Sequence, residues 1–129
     1  MALGRTLAPQ LHGVVLLIGN LGAGKTTLAK GIIEGRGVAE ANAVSSPTFT
    51  LIHQYGEEVF HIDLYRLDDE RQVQTLGLDD LFRSNALVLL EWAERFPALL
   101  PAERTEIRLR TVSEQEREIT VTHAPETSA

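Results

Sequence analysis

Continuous apolar runs mark the core strands of this chain. Val14–Ile18 and Ala86–Leu90 are short runs without polar residues, which is typical of parallel strands covered on both faces. Between them, residues 26–34 carry apolar side chains at helical spacing, and Gly35 follows as a stop signal. The pattern therefore predicts a buried strand, a helix packed on it, and a second buried strand later in the chain.

Alternating polar and apolar positions predict the outer strands. Residues 49–55 and 58–64 flank Gly56 and are typical of a β-hairpin, while residues 105–111 and 118–122 are typical of half-exposed antiparallel strands. Three further segments are weaker: a short helix at 3–11 broken by a proline, a helix that opens at 67–70 and stops at Gly77, and a helical piece at 79–83. Residues 1–123 are predicted to form one domain, with 124–129 as a flexible tail.

Composition narrows the class of protein. The chain has 129 residues, 43% of them apolar and 23% charged, with a net charge of −6 and no cysteine. Disulfides and thiolate chemistry are excluded. The apolar runs are too short to cross a bilayer and no signal peptide is evident, so we expect a cytoplasmic protein without a membrane partner. The acidic balance argues against a strong direct grip on nucleic acid.

The octapeptide GNLGAGKT at 19–26 is the most informative motif. It matches the phosphate-binding loop, in which Gly19 and Gly24 leave room for backbone N–H groups to surround phosphate oxygens. Lys25 supplies a mobile ammonium, and the Thr26 hydroxyl can ligate magnesium. The predicted strand before the motif and helix after it are the context that this loop requires, because the helix directs its positive end at the anion.

Two carboxylates follow predicted strands and are candidates for the metal. Nucleotide-hydrolysing enzymes with this loop need an acidic residue at the end of a neighbouring strand. Glu91 ends the more hydrophobic run and is the first choice for magnesium, while Asp63 is expected to act through water or to orient the attacking nucleophile. Either residue could instead be a simple helix cap.

Other polar and aromatic residues have two readings. Thr48 and Thr50 lie where related folds place a γ-phosphate sensor, although a plain hydroxyl turn is equally consistent. His53 and His61 are interpreted as strand residues, because their spacing fits no metal pair. Trp92, the single tryptophan, is interpreted first as a buried anchor, with a nucleotide-sensing or partner-binding role as the alternative.

Taken together, the motifs resemble the bacterial TsaE-type ATPases of tRNA threonylcarbamoyladenosine biosynthesis. The resemblance covers roughly residues 3–122 and rests on GNLGAGKTT at 19–27, SPTFTL at 46–51, HIDLYRL at 61–67 and LLEW at 89–92, in the order seen in that family. It implies an α/β fold, a P-loop NTPase-like three-layer sandwich in which antiparallel strands flank central parallel strands.

The resemblance also implies a function. The chain would bind ATP and Mg²⁺ and hydrolyse ATP to reset the TsaB and TsaD proteins, which carry out the threonylcarbamoyl transfer. Lys25, Asp63 and Glu91 would be catalytic, with Thr26 and Glu91 on the metal. The nucleotide-binding residues implied by the family are Gly22, Ala23, Gly24, Lys25, Thr26, Thr27, Glu94 and Arg117.

This chain departs from the family at two points. Asn20 stands where the family usually has Asp, which removes one negative charge beside the phosphates. Members of the family usually have further residues before the helix that begins here near Leu3, on the adenine side of the pocket, so we expect either looser base recognition or a start codon farther upstream.

Three other classes of protein share the phosphate-binding loop or the ability to bind a nucleotide. A small metabolite or nucleoside kinase is the alternative enzyme, although no arginine-bearing lid is evident. A GTPase is disfavoured because no guanine-recognition motif occurs. The third class is a docking protein that binds a nucleotide and depends on a partner to complete hydrolysis. This interpretation overlaps with that of a TsaE-type ATPase.

Overall fold

A single six-stranded sheet organises the chain. The structure is a computed structural model that describes residues 2–20, 24–37, 52–56, 58–114 and 116–124. The strands are β1 (Val14–Ile18), β2 (Ile52–Tyr55), β3 (Val59–Asp63), β4 (Leu87–Glu91), β5 (Arg104–Thr111) and β6 (Arg117–Ala124). Their order is β2-β3-β4-β1-β5-β6; the four inner strands run parallel, and both edge strands run antiparallel to their neighbours. The predicted fold class is confirmed.

Helices cover the two faces of the sheet and produce three layers. The helices are α1 (Ala2–Leu7), α2 (Lys25–Gly35), α3 (Glu70–Gln74) and α4 (Leu78–Arg83). One face packs against α1 and α2, where Leu28, Ile32 and Ile33 are buried, and the other packs against α3 and α4. No helix in the described part of the chain combines the length and apolar character needed to cross a membrane.

The two continuous apolar runs are the strands at the centre of these layers. β1 and β4 are neighbours in the sheet, and every residue of β4 is buried. Because successive side chains of a strand point to opposite faces, a strand covered on both sides needs apolar residues at every position. Glu91 is the exception, and it stands at the last position of β4.

The hairpin predicted around Gly56 is present. β2 and β3 pair antiparallel from Ile52↔Ile62 to Tyr55↔Val59, and Gly56 has a positive φ of 66°. Residues 49–51 of the predicted first strand lie outside the described residues, as does 125–129 of the predicted tail.

The prediction for β5 was only half right. β5 pairs antiparallel with β6 as expected, but it also pairs parallel with β1. Its alternating pattern arises because only one face of β5 is covered: Thr105, Ile107 and Leu109 are buried against the α1 and α2 layer. The opposite face carries charged residues that pair with one another, with Glu106 accepting from Arg104 and Arg108 at 2.9 Å.

Gly77 lies in the turn that ends α3 and precedes α4, and its N–H donates to the Gln74 carbonyl at 3.3 Å. α3 begins at Glu70, where Asp69 caps it by accepting from the Gln72 N–H at 3.0 Å, and it already ends at Gln74. Gly77 then adopts φ of 69° immediately before α4. The left-handed conformation that suits glycine here serves the turn between two short helices, which the sequence pattern predicted as two separate pieces.

Helices α1 and α2 approach closely through glycine. A Cβ atom built on Gly4 would lie 2.7 Å from both the Leu28 carbonyl oxygen and the Ile32 nitrogen. A Cβ on Gly35 would lie 2.7 Å from the Ala8 Cβ. Small residues therefore set the distance between α1 and the helix that follows the phosphate-binding motif.

We expect Gly4→Ala to destabilise the protein by about 1 kcal/mol. Alanine is favoured over glycine within a helix by about 1 kcal/mol, but the new methyl group clashes with backbone atoms of α2, and overpacking costs about 1–3 kcal/mol or more. Urea unfolding measures the difference. Leu3→Ala, on the same helix at a side chain that is 41% exposed, is the matched control. Equal or higher stability of Gly4→Ala would contradict this packing.

Candidate functional site

The carboxyl ends of three parallel strands bring the candidate residues together. Strands β1, β3 and β4 end at the same edge of the sheet, and α2 begins there. Glu91 is in register with Asp63 on one side and with Leu17 on the other. The two carboxylates that the sequence placed after separate strands are therefore neighbours beside the start of α2.

Gly24 forms the junction between the loop and α2. It has φ of 99°, a left-handed conformation that side chains disfavour, and its carbonyl accepts from the Leu28 N–H at 2.9 Å. Thr27 is exposed on the first turn of the helix. The predicted nucleotide-binding residues Gly22 and Ala23 lie outside the described residues, as do Thr48 and Thr50.

Lys25 holds a buried ammonium at the first position of α2. The residue is 4% exposed, its Nζ has no hydrogen-bond partner, and Nζ lies 3.4 Å from the centroid of the Trp92 ring. Burial lowers the pKa of Lys25 below its ordinary value, while the charge of Glu94, followed by those of Glu91 and Asp63, counteracts the shift. A desolvated cation with unused donors is suited to an anionic ligand.

Thr26 and Glu91 face each other across the site. The Thr26 hydroxyl lies 3.4 Å from each carboxylate oxygen of Glu91, and Glu91 is 2% exposed. Oε2 of Glu91 also lies 2.5 Å from Nε2 of His61. The hydroxyl and carboxylate predicted to share a magnesium ion are thus adjacent.

Asp63 has a different environment from Glu91. Its Oδ1 accepts from the Tyr65 backbone N–H at 2.8 Å, and the side chain is only partly buried. Burial is the main cause that raises the pKa of Asp63, and the charge of Glu91 adds to it. Access to solvent combined with a raised pKa suits a group that handles water or a proton.

The donor set fits magnesium only when a ligand contributes to the site. Within the described residues, no three His, Asp or Glu side chains are placed to hold a metal by themselves. Mg²⁺ is usually bound by one or two carboxylates together with substrate phosphates and water. Thr26 and Glu91 fit that pattern, with the unpartnered Lys25 ammonium next to them for the phosphates.

Trp92 is more than a buried anchor. It has φ of 67°, the one positive value among the non-glycine residues described, which costs about 1–3 kcal/mol. Its ring centroid lies 5.0 Å from that of Tyr65, and its face receives the Lys25 ammonium. A cation over an indole ring gains about 0.5–2 kcal/mol. Trp92 therefore holds the cation of the site in this conformation.

The structure brings Glu94 to the site but leaves Arg117 apart. Glu94 follows β4 in a short 3-10 turn, its Oε1 is buried without a partner, and it is the strongest carboxylate acting on Lys25. Arg117 begins β6, which β1 and β5 separate from β4. The Arg117 guanidinium donates to the carbonyls of Ser113 and Glu116 in its own hairpin.

Two residues of the site were missed by sequence reasoning. His61 contacts Glu91, and its position two residues before Asp63, on the same face of β3, was the available signal. Arg95 donates to the carbonyl oxygens of Leu64, Tyr65 and Leu67 and so ties the segment after β3 to the turn after β4. No local pattern marks Arg95.

We expect Asp63→Asn to stabilise the metal-free protein at pH 7. An unfolded Asp has a pKa of about 3.9. Because the pKa of Asp63 is raised in the folded state, the folded chain loses this proton at higher pH than the unfolded chain does, so stability falls as pH rises between the two values. The amide removes that cost and can still accept from Tyr65.

The gain in stability from Asp63→Asn should shrink as the pH falls toward the pKa of the unfolded carboxyl. Below that pKa, Asp63 of the wild type is protonated in both the folded and the unfolded state. Thermal melts in a chelator across pH 3.5–8, roughly the range that spans both forms, measure it. Asp68→Asn, at an exposed carboxylate, is the control. A gain that is absent at pH 7, or one that does not change with pH, would contradict the raised pKa.

Comparisons with known proteins identify the family of this chain. The sequence model of the family described as "Threonylcarbamoyl adenosine biosynthesis protein TsaE" matches residues 1–119. The crystal structure of YdiB from Bacillus subtilis superposes with a TM-score of 0.73 at 34% identity, covering 95% of this chain and 76% of that one.

Curated relatives bear the name "tRNA threonylcarbamoyladenosine biosynthesis protein TsaE". The Bacillus subtilis protein is 45% identical over 112 residues, which is 84% of this chain and 68% of that protein. The Haemophilus influenzae protein is 42% identical over 91 residues, 68% of this chain and 56% of its own length. The Rickettsia bellii protein is 35% identical over 125 residues, 95% and 84% of the two chains. With the family model spanning nearly the whole sequence, this chain belongs to the TsaE family.

Proposed function

We propose that this chain is a small ATPase of tRNA threonylcarbamoyladenosine biosynthesis. It binds ATP with Mg²⁺ and hydrolyses it slowly, and this hydrolysis supports turnover of the TsaB–TsaD threonylcarbamoyl transferase complex. The observation that carries the proposal is the buried Lys25 ammonium, which has no hydrogen-bond partner and lies at the start of α2 beside Thr26 and Glu91.

Phosphate binding follows from the state of Lys25. Within the described residues, burial opposes the charge of Lys25, and the Trp92 ring together with carboxylates that the ammonium does not contact compensates it in part. An ATP phosphate would accept the unused hydrogen bonds and raise the pKa of the ammonium again. The first turn of α2, with Thr26 and Thr27, presents its N–H groups and the positive end of its dipole to the same anion.

Thr26 and Glu91 would hold the magnesium ion. When bound, Mg²⁺ would neutralise charge on the phosphate oxygens during phosphoryl transfer. The buried carboxylate and the facing hydroxyl are hard oxygen donors of the kind that this ion prefers. Glu94, with its buried unpartnered oxygen, would contribute a further polar contact to the nucleotide. Arg117 would approach the nucleotide from the start of β6, which pairs with the end of β5 two strands away from β1.

Asp63 would orient the attacking water. It is the more exposed of the two carboxylates. Its raised pKa makes the ionised carboxylate a stronger proton acceptor than an ordinary aspartate. Its neighbour in register, Glu91, contributes to that shift. Two carboxylates in different environments thus divide the roles, with the buried one on the metal and the accessible one on water.

ATP is proposed over GTP because the sequence has no guanine-recognition motif. The TsaB and TsaD proteins are proposed as partners on the strength of family membership and the names of the relatives. Because the chain is acidic, it would act on tRNA through those partners rather than by binding the RNA strongly itself. We propose that it does so in the cytoplasm.

Lys25→Ala should abolish both ATP binding and hydrolysis. We expect the wild-type chain to hydrolyse ATP slowly alone and faster with TsaB and TsaD. The variant should lose at least about 100-fold of the partner-stimulated rate, because it removes an electrostatic contact to the transferring phosphate. The rate of phosphate release measures hydrolysis. Tryptophan fluorescence measures ATP affinity, because Trp92, the single tryptophan, contacts Lys25.

Lys30→Ala is the matched control, because Lys30 is the only other lysine and lies on the same helix. It should behave as wild type. Stimulated hydrolysis that survives Lys25→Ala would contradict the site. Transfer of phosphate to a metabolite instead of water would replace this proposal with a kinase.

A further inference from the structure

We propose that His61 is a positioning residue that fixes the orientation of Glu91 for metal binding. The inference rests on the proposed function, since it concerns the magnesium site of the same ATPase. His61 itself would contact neither metal nor nucleotide. It would act through the hydrogen bond between its ring and the carboxylate.

His61 lies beneath Glu91 in the sheet. It is on β3, in register with Leu89 of β4, two residues before the pair formed by Asp63 and Glu91. Its side chain is fully buried, and Nε2 lies 2.5 Å from Oε2 of Glu91. The ring therefore approaches the carboxylate from the core of the protein, opposite to solvent.

The proton of this hydrogen bond must come from the histidine when Glu91 is a metal ligand. An ionised carboxylate only accepts hydrogen bonds, so Nε2 of His61 has to carry the hydrogen. In the neutral ring, Nδ1 is then unprotonated. Nδ1 is buried and has no hydrogen-bond partner within the described structure. The contact with Glu91 is thus the one polar interaction seen for this ring.

A purely structural role explains the pair poorly. In the sheet His61 lies between Leu89 and His53 and is itself fully buried, and an apolar side chain there would avoid the cost of an unpartnered Nδ1. A buried carboxylate next to a buried imidazole is also costly to desolvate. The cost of burying this pair is explained if holding Glu91 in one orientation favours metal binding.

The orientation leaves one carboxylate oxygen available. With Oε2 held by His61, the contact of Oε1 within the described residues is the long one of 3.4 Å with the Thr26 hydroxyl. Thr26 is the other proposed metal ligand. Outer-shell partners that orient a ligand in this way change metal affinity by about 10–100-fold when they are removed.

Three variants separate positioning from packing. His61→Leu removes the donor at similar volume, and His61→Gln keeps an N–H donor at about the distance of Nε2. His53→Leu is the matched control, because His53 is the cross-strand partner of His61 on β2 and makes its own contact with Tyr55.

The measurements are the affinity for ATP in a chelator and the Mg²⁺ concentration at which that affinity is half-maximally enhanced. For His61→Leu we expect about a 10-fold or greater rise in the required Mg²⁺, with metal-free ATP affinity within about twofold of wild type. His61→Gln should recover most of the loss, and His53→Leu should match wild type. A folded His61→Leu protein with wild-type Mg²⁺ dependence would overturn the proposal.

A measurement on the wild-type protein decides the question even if the variants do not fold. ¹⁵N NMR of the histidine rings should show a proton on Nε2 of His61, and the Nε2 signal should shift when Mg²⁺ is added to the protein with ADP. A bare Nε2 would overturn the proposal, because His61 could not then donate to Glu91. If wild type fails to bind ATP at all, the proposed function falls, while the protonation of Nε2 still tests the contact.

Discussion

The burial of opposite charges at one edge of the sheet is the constraint on which this structure depends. Lys25 and Glu91 are nearly inaccessible, yet they make no direct contact with each other. Lys25 is compensated by the face of Trp92, and Glu91 by His61 and the Thr26 hydroxyl. Within the described residues, Lys25 keeps an unpartnered Nζ and Oε1 of Glu91 makes a long contact with Thr26, an arrangement that supports the proposed binding of an anion and a cation together.

The fold brings these charged groups together at one edge of the sheet. Parallel strands deliver their carboxyl ends to the same side, so that Asp63 and Glu91 become neighbours although they are far apart in the sequence. Helix α2 starts at the same place, and its packing on α1 through Gly4 fixes its position. Arg95 donates hydrogen bonds to backbone carbonyl oxygens of the segment after β3. These bonds hold the chain near Tyr65 beside the site. The packing thus positions groups whose own interactions are incomplete.

The sequence predicted the parts of this design that depend on periodicity and local motifs. The continuous runs at β1 and β4 located the sheet, and the motif ending in Thr26 located the start of α2. What it could not predict depends on pairing between distant segments. The parallel pairing of β5 with β1 was missed because one uncovered face gives β5 the alternation of an antiparallel strand. His61 was interpreted as an ordinary strand residue because its partner, Glu91, is reached only through the register of β3 and β4.

Anomalous diffraction from crystals grown with Mn²⁺ and a non-hydrolysable ATP analogue tests the central claim most directly. The account predicts one strong manganese peak, bound by the Thr26 hydroxyl and a Glu91 oxygen, with the Lys25 ammonium moved from the Trp92 ring to the phosphates. A peak held by Asp63 while Glu91 takes no part, or a Lys25 that stays on Trp92 with nucleotide bound, would contradict it.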